Sequence, residues 1–94
     1  MEGVGEQLNA RVYGRVQGVG FRVFVRDTAQ RLALGGWVRN GHDGSVLVQA
    51  VGPRAALEAL LTALQRGPSM ARVDRVVALW TTATSAADPF EVRG

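Results

Sequence analysis

The 94-residue chain contains no cysteine and no lysine, and aromatic residues make up 6% of it. Without cysteine there is no disulfide, no thiolate metal site, no iron–sulfur cluster and no thiol nucleophile. No apolar run approaches the roughly 20 residues of a membrane-spanning helix. Met1 to Glu6 lack the basic start and apolar stretch of a secretory signal, so a soluble cytoplasmic protein is the expectation. All 11 basic residues are arginine, against 8 acidic ones, for a net charge of +3. They form no run of five or six, which argues against a basic nucleic-acid tail. The preference for Arg, Ala, Gly and Val reads as genomic composition rather than as a site.

This length holds one small domain, and 47% hydrophobic residues suffice for a small core. Residues 1–94 are read as a single domain with residues 1–6 frayed. Leu8, Ala10 and Val12 alternate with Asn9, Arg11 and Tyr13, the period of a half-buried strand. Gly14 to Gly20 holds three glycines and reads as a loop. From Phe21 the period becomes helical, with Val25, Thr28, Ala29 and Leu32 on one face, and Gly35-Gly36 is read as the stop. Trp37 to Asn40 reads as a strand, Asn40 to Gly44 as a hairpin turn, and Val46, Val48 and Ala50 as the inward face of the returning strand. Gly52-Pro53 opens a second helix, with Pro53 at its first position and a stripe of Leu57, Leu60, Leu61 and Leu64. Gly67-Pro68 ends it. Val73 to Thr82 reads as a long strand, Thr81 to Asp88 as a polar stretch, and Phe90 to Arg93 as a short final strand. The order β-α-β-β-α-β predicts an α+β domain of the ferredoxin-like, split β-α-β plan. It has an antiparallel sheet, two helices on one face and a short extra C-terminal strand.

The loop ahead of the first helix carries the chemistry. It lacks the Gly-Lys-Ser/Thr ending of a nucleoside triphosphate loop, and Val23 stands where a dinucleotide fingerprint needs its third glycine. Its amides run into the free N–H groups of a helix start, which together favour an anion. Arg22 sits in the first turn, the wrong end of the helix dipole for a cation, at a cost of a few tenths to about 1 kcal/mol. An anion held between Arg22 and the amides would explain it; a tight turn with Arg22 in solvent is the other reading. A cysteine-phosphatase loop has Cys and Arg separated by five residues; the position matching that Cys here is Val16, so hydrolysis would have to use water directly.

Gly14-Arg15-Val16-Gln17-Gly18-Val19-Gly20-Phe21-Arg22 resembles the first signature of the acylphosphatases. Gly36-Trp37-Val38-Arg39-Asn40-Gly41-His42-Asp43-Gly44-Ser45-Val46 resembles their second, at the family's spacing. The resemblance covers nearly the whole chain. It implies the fold read above and the hydrolysis of carboxyl–phosphate anhydrides to carboxylate and inorganic phosphate, with neither metal nor cofactor. It implies that Arg22 binds the phosphate and that Asn40 holds the attacking water. It implies that Val16, Gln17, Gly18, Val19, Gly20, Phe21 and Arg22 form the phosphate cradle. Gly94 departs from the family's apolar–Arg–aromatic ending, standing where the aromatic would be.

The implied partners are a small acyl phosphate and its product, inorganic phosphate, as a competitive inhibitor. No nucleic acid, no membrane and no metal are expected, and a monomer is. His42 and Asp43 read as turn residues, Trp37 and Trp80 as core or sheet-face aromatics, and Arg15 and Arg39 as solvated strand ends. An RNA-recognition sheet would carry stacking aromatics on its third strand, and Ser45 to Gln49 has none. The alternative reading is a non-catalytic phosphate-binding regulatory domain of the same fold. A third is a module of a larger carbamoyl-transfer enzyme; with no zinc-type cysteine region in the chain, a stand-alone enzyme is expected instead.

Overall fold

A computed structural model describes residues 5–83 and 89–94. The frayed start read over residues 1–6 lies outside the described residues as far as residue 4. So does the part of the polar stretch that runs from residue 84 to Asp88. The order is β1 (Glu6–Arg15), α1 (Phe21–Arg31), β2 (Gly35–Asn40), β3 (Val46–Gly52), α2 (Arg54–Arg66), β4 (Arg72–Thr82) and β5 (Glu91–Val92). The strands form one sheet in the order β4-β1-β3-β2-β5. Each neighbouring pair among β4, β1, β3 and β2 is antiparallel, while β5 joins β2 in parallel and makes the sheet mixed.

The period-two pattern becomes two faces. Leu8, Ala10 and Val12 of β1 and Val46, Val48 and Ala50 of β3 are buried with Val38 of β2. They meet Phe21, Val25 and Ala29 of α1 and Leu57, Leu60 and Leu64 of α2, so both helices cover one side of the sheet. Each such Leu removed from water contributes about 1.5–3 kcal/mol. The opposite side carries Asn9, Arg11, Trp37, Leu47, Val77 and Leu79 around a shallow cavity. Trp37 lies half-buried on that open side, with the guanidinium groups of Arg39 and Arg93 over its ring. Trp80 faces the core side, in register with Leu8.

Four boundaries differ from the sequence pattern. Glu6 is not frayed: it pairs with Gly52 and Thr82, and Arg54 holds its carboxylate at 2.9 Å. The first strand runs on through Gly14 and Arg15, across an irregularity between Tyr13 and Gly14 that resets its register against β4. Gly35-Gly36 does not stop α1, which ends at Arg31 with Ala33 turning the chain at φ 58°. Both glycines belong to β2, and a Cβ on Gly36 would lie 1.9 Å from the Gln49 carbonyl oxygen. Pro53 is the cap of α2 rather than its first residue, because its ψ of 146° is extended.

Candidate functional site

After Arg15 the chain leaves the sheet, and Val16 turns inward to be buried. Gly18 and Gly20 carry φ of 74° and 77°, a left-handed conformation that costs other residues about 1–2 kcal/mol. A Cβ at either position would meet nothing within 4 Å, so backbone conformation rather than crowding calls for glycine. Gly20 caps α1 without any side-chain bond, and the first turn holds no acidic residue. The N–H of Phe24 donates to the Gly20 carbonyl at 3.1 Å and begins the helix. The N–H groups just ahead of it are left facing outward, as at any helix start.

Asn40 reaches the same place from the end of β2, where it pairs with Val46. Val16, Gly18, Gly20, Phe21, Arg22, Val23 and Asn40 line one concavity of about 100 Å³. Two of the residues assigned to the cradle do not line it. Val19 packs against the edge of the core, and the Gln17 side chain turns to the β2–β3 turn. Val23 lines the concavity without having been singled out in the sequence. A larger groove, about 790 Å³ between the helices, contains neither Arg22 nor Asn40.

Arg22 donates through Nη1 to the backbone carbonyl of Arg93 at 3.1 Å. Among the described residues no carboxylate pairs with it. The carbonyl arrives there because β5 runs parallel to β2, with the Arg93 N–H donating to the Val38 carbonyl at 2.8 Å. Gly94 lies beside Arg22 and Arg39; a Cβ added to it would stand 3.9 Å from Arg22 Nη1 and 3.7 Å from Arg39 Cβ. No local pattern signals this contact, since 71 residues separate the partners.

The side-chain oxygen of Asn40, Oδ1, is buried and accepts no hydrogen bond from the described residues. Leaving a buried acceptor unpaired costs about 1–3 kcal/mol, so this atom suits a donor brought into the concavity. The turn behind it is tightly bonded. The Gly41 N–H donates to the Ser45 carbonyl at 2.8 Å. Asp43 Oδ1 accepts from the Ser45 N–H at 3.1 Å and from its hydroxyl, and Oδ2 accepts from Arg11 at 3.1 Å. The Ser45 hydroxyl, then its N–H, and then Arg11 hold the Asp43 carboxyl below the ordinary 3.8. Asp43 therefore closes the turn, as its position suggests. His42 is exposed and lines a separate recess with Arg11, Arg39 and Leu47.

The arrangement can grip a tetrahedral anion with guanidinium and amide donors, and it sets a lone amide acceptor beside that anion. The acylphosphatase family model matches residues 8–92. A curated acylphosphatase of Salinibacter ruber is 50% identical over 91 residues, covering 97% of this chain and 96% of the relative. The crystal structure of acylphosphatase from Bacillus subtilis superposes with a TM-score of 0.91 at 35% identity, covering 95% of this chain and 99% of that one. An acylphosphatase structure from Coxiella burnetii gives a TM-score of 0.81 at 38% identity, with 95% and 94% covered.

Proposed function

The chain belongs to the acylphosphatase family and is a hydrolase acting on acyl phosphates, and we propose that Arg22, the amides of residues 16–22 and Asn40 are its machinery. The observation that carries this reading is one of position. Arg22, without a carboxylate partner among the described residues, and Asn40, whose buried side-chain oxygen has no donor among them, line the same small concavity.

In the proposed reaction the phosphoryl group sits on the cradle amides and on the Arg22 donors not used by Arg93. A planar guanidinium binds two phosphoryl oxygens at once and fixes their orientation, which a lysine could not do. Water attacks phosphorus, the bond from phosphorus to the acyl oxygen breaks, and its electron pair leaves with the carboxylate. A carboxylate is a good leaving group, so little protonation of it is required. The main contributions are positioning and stabilisation of charge on the phosphoryl oxygens. Asn40 cannot accept a proton in the ordinary sense. Its Oδ1 accepts a hydrogen bond from the water and so aims an oxygen lone pair at phosphorus, reducing the entropic part of the barrier. The water proton passes to a phosphate oxygen or to solvent.

Because the grip is on phosphate, the product competes with substrate, and no metal takes part. The expected setting is a cytoplasmic monomer working as one domain. The test is hydrolysis of benzoyl phosphate by the purified protein with a chelator present, beside Arg22→Gln and Asn40→Ala. The expected outcome is chelator-resistant turnover that falls steeply but measurably in both variants, with phosphate inhibition of the residual turnover weakened in Arg22→Gln alone. Unchanged phosphate inhibition in Arg22→Gln, or lost phosphate binding in Asn40→Ala, would overturn the roles assigned.

A further inference from the structure

Gln17 lies inside the cradle sequence, yet its side chain does not face the concavity. Its amide nitrogen Nε2 donates to two backbone carbonyls at once, Gly41 at 2.9 Å and Ser45 at 2.9 Å. Both acceptors belong to the turn that follows Asn40, 24 and 28 residues further along the chain. The same turn is closed by the Gly41 N–H on the Ser45 carbonyl and by the Asp43–Ser45 bonds. Ser45 is buried, and a Cβ on Gly41 would come within 2.7 Å of its hydroxyl. The turn is thus braced from within, and Gln17 ties it to the cradle.

We infer that Gln17 is a positioning residue, which acts through the Gly41 backbone to set the separation between the bound phosphoryl group and the Asn40 oxygen. This rests on the assignment of Arg22 and Asn40 above. The reason is that Asn40 Oδ1 has no donor among the described residues to hold it. Its place is fixed by the backbone on either side: the ladder to Val46 on one, and Gly41 on the other. Gly41 is anchored at both its N–H and its carbonyl, and Gln17 supplies the second anchor. The cradle loop joins β1 to α1 and the Asn40 turn joins β2 to β3, so without a bond between them their spacing would drift. An amide suits the task because its two hydrogens fork toward two carbonyls. A carboxylate of the same shape would set oxygen against oxygen.

The test is steady-state hydrolysis of benzoyl phosphate by Gln17→Met and Gln17→Asn, with inhibition by inorganic phosphate and thermal midpoints measured on the same samples. Met fills the space without donors; Asn keeps the donors one methylene too short, and serves if Gln17→Met fails to fold. Misplacement of a reacting group by about 1 Å is worth on the order of 10²-fold, and a fall in kcat of that order is expected, with phosphate inhibition unchanged. Gln17→Met combined with Asn40→Ala is expected to lose no more turnover than Asn40→Ala alone, since one residue acts through the other. Unchanged kcat in the Gln17 variants overturns the inference, as does a parallel loss of turnover and phosphate inhibition, or full additivity with Asn40→Ala. If Asn40→Ala itself keeps its turnover, the reading of Asn40 fails first. If Asn40→Ala loses turnover while Gln17→Met keeps it, only the inference about Gln17 fails.

Discussion

The two helices begin alike and end up doing different things. Gly20-Phe21-Arg22 opens α1 and Gly52-Pro53-Arg54 opens α2. Neither start has a side-chain cap or an acidic residue in its first turn, and each puts an arginine at the unfavourable end of the dipole. At α2 the conflict is resolved by carboxylates. Arg54 donates to Glu6 at 2.9 Å and to Glu58 at 3.0 Å, and its guanidinium lies 3.7 Å over the Trp80 ring. The bond to Glu6, and then that to Glu58, raise its pKa above the ordinary arginine value. At α1 Arg22 has a neutral backbone carbonyl and, among the described residues, no carboxylate. A cation at a helix start is therefore not a site by itself. In the proposed reading it becomes one where no described carboxylate takes its donors and they are left, with the adjacent amides, to the same anion.

Exchanging the two arginines for glutamine sharpens this contrast most. Removing one donor aimed at developing charge typically costs 10²–10³ in kcat, and Arg22→Gln is expected to lose at least about that much while its thermal midpoint stays near that of the wild type. Arg54→Gln is expected to keep full turnover. Comparable kcat values in the two variants would erase the distinction. The next effect is on the backbone. Gly20→Ala forces a Cβ into the left-handed region and is expected to cost about 1–2 kcal/mol in urea unfolding. Pro53→Ala at the other cap asks for nothing but ordinary extended geometry and should shift the urea midpoint much less.

Smaller again is the stability effect of Arg54→Gln, read as a slight drop in urea midpoint that vanishes in high salt, since both its ion pairs are solvent-exposed. The smallest effect belongs to the turn behind Asn40, where an acid is present and satisfied. The folded-state pKa of Asp43 lies below 3.8 because the carboxylate accepts from Ser45 and Arg11. Its contribution to stability is complete above that value and is lost as pH falls through the folded pKa. Urea midpoints taken between about pH 5 and pH 2 should fall less steeply for Asp43→Asn than for the wild type. Parallel curves would remove Asp43 from the bracing of the turn.

The element order and the inward stripes were legible along the chain because each rests on local signals, period two and period 3.6; Arg22 and Asn40, which line one concavity, were paired through the resemblance of two motifs to a known family. Gly35-Gly36 misled because Gly after a helical run resembles a helix stop. What requires Gly36 is the Gln49 carbonyl on the neighbouring strand, which no local pattern reports. Glu6 was lost for a similar reason, its partners being Gly52, Thr82 and Arg54. Gln17 was read with the cradle on its sequence position, whereas its side chain serves a turn far along the chain.

By itself the sequence determined which segments become helix or strand, which faces are apolar, and which residues carry donors and a lone amide acceptor. Those follow from short-range sterics, backbone conformation and apolar periodicity. Only the tertiary structure decided which arginine is paired with carboxylates, Arg54, and which has none among the described residues, Arg22. It also brought the Arg93 carbonyl to Arg22 through the parallel β5, and it set Gln17 against the Asn40 turn. Each of these depends on groups tens of residues apart meeting at hydrogen-bond distance, and that follows from sheet order and register rather than from any local run of residues.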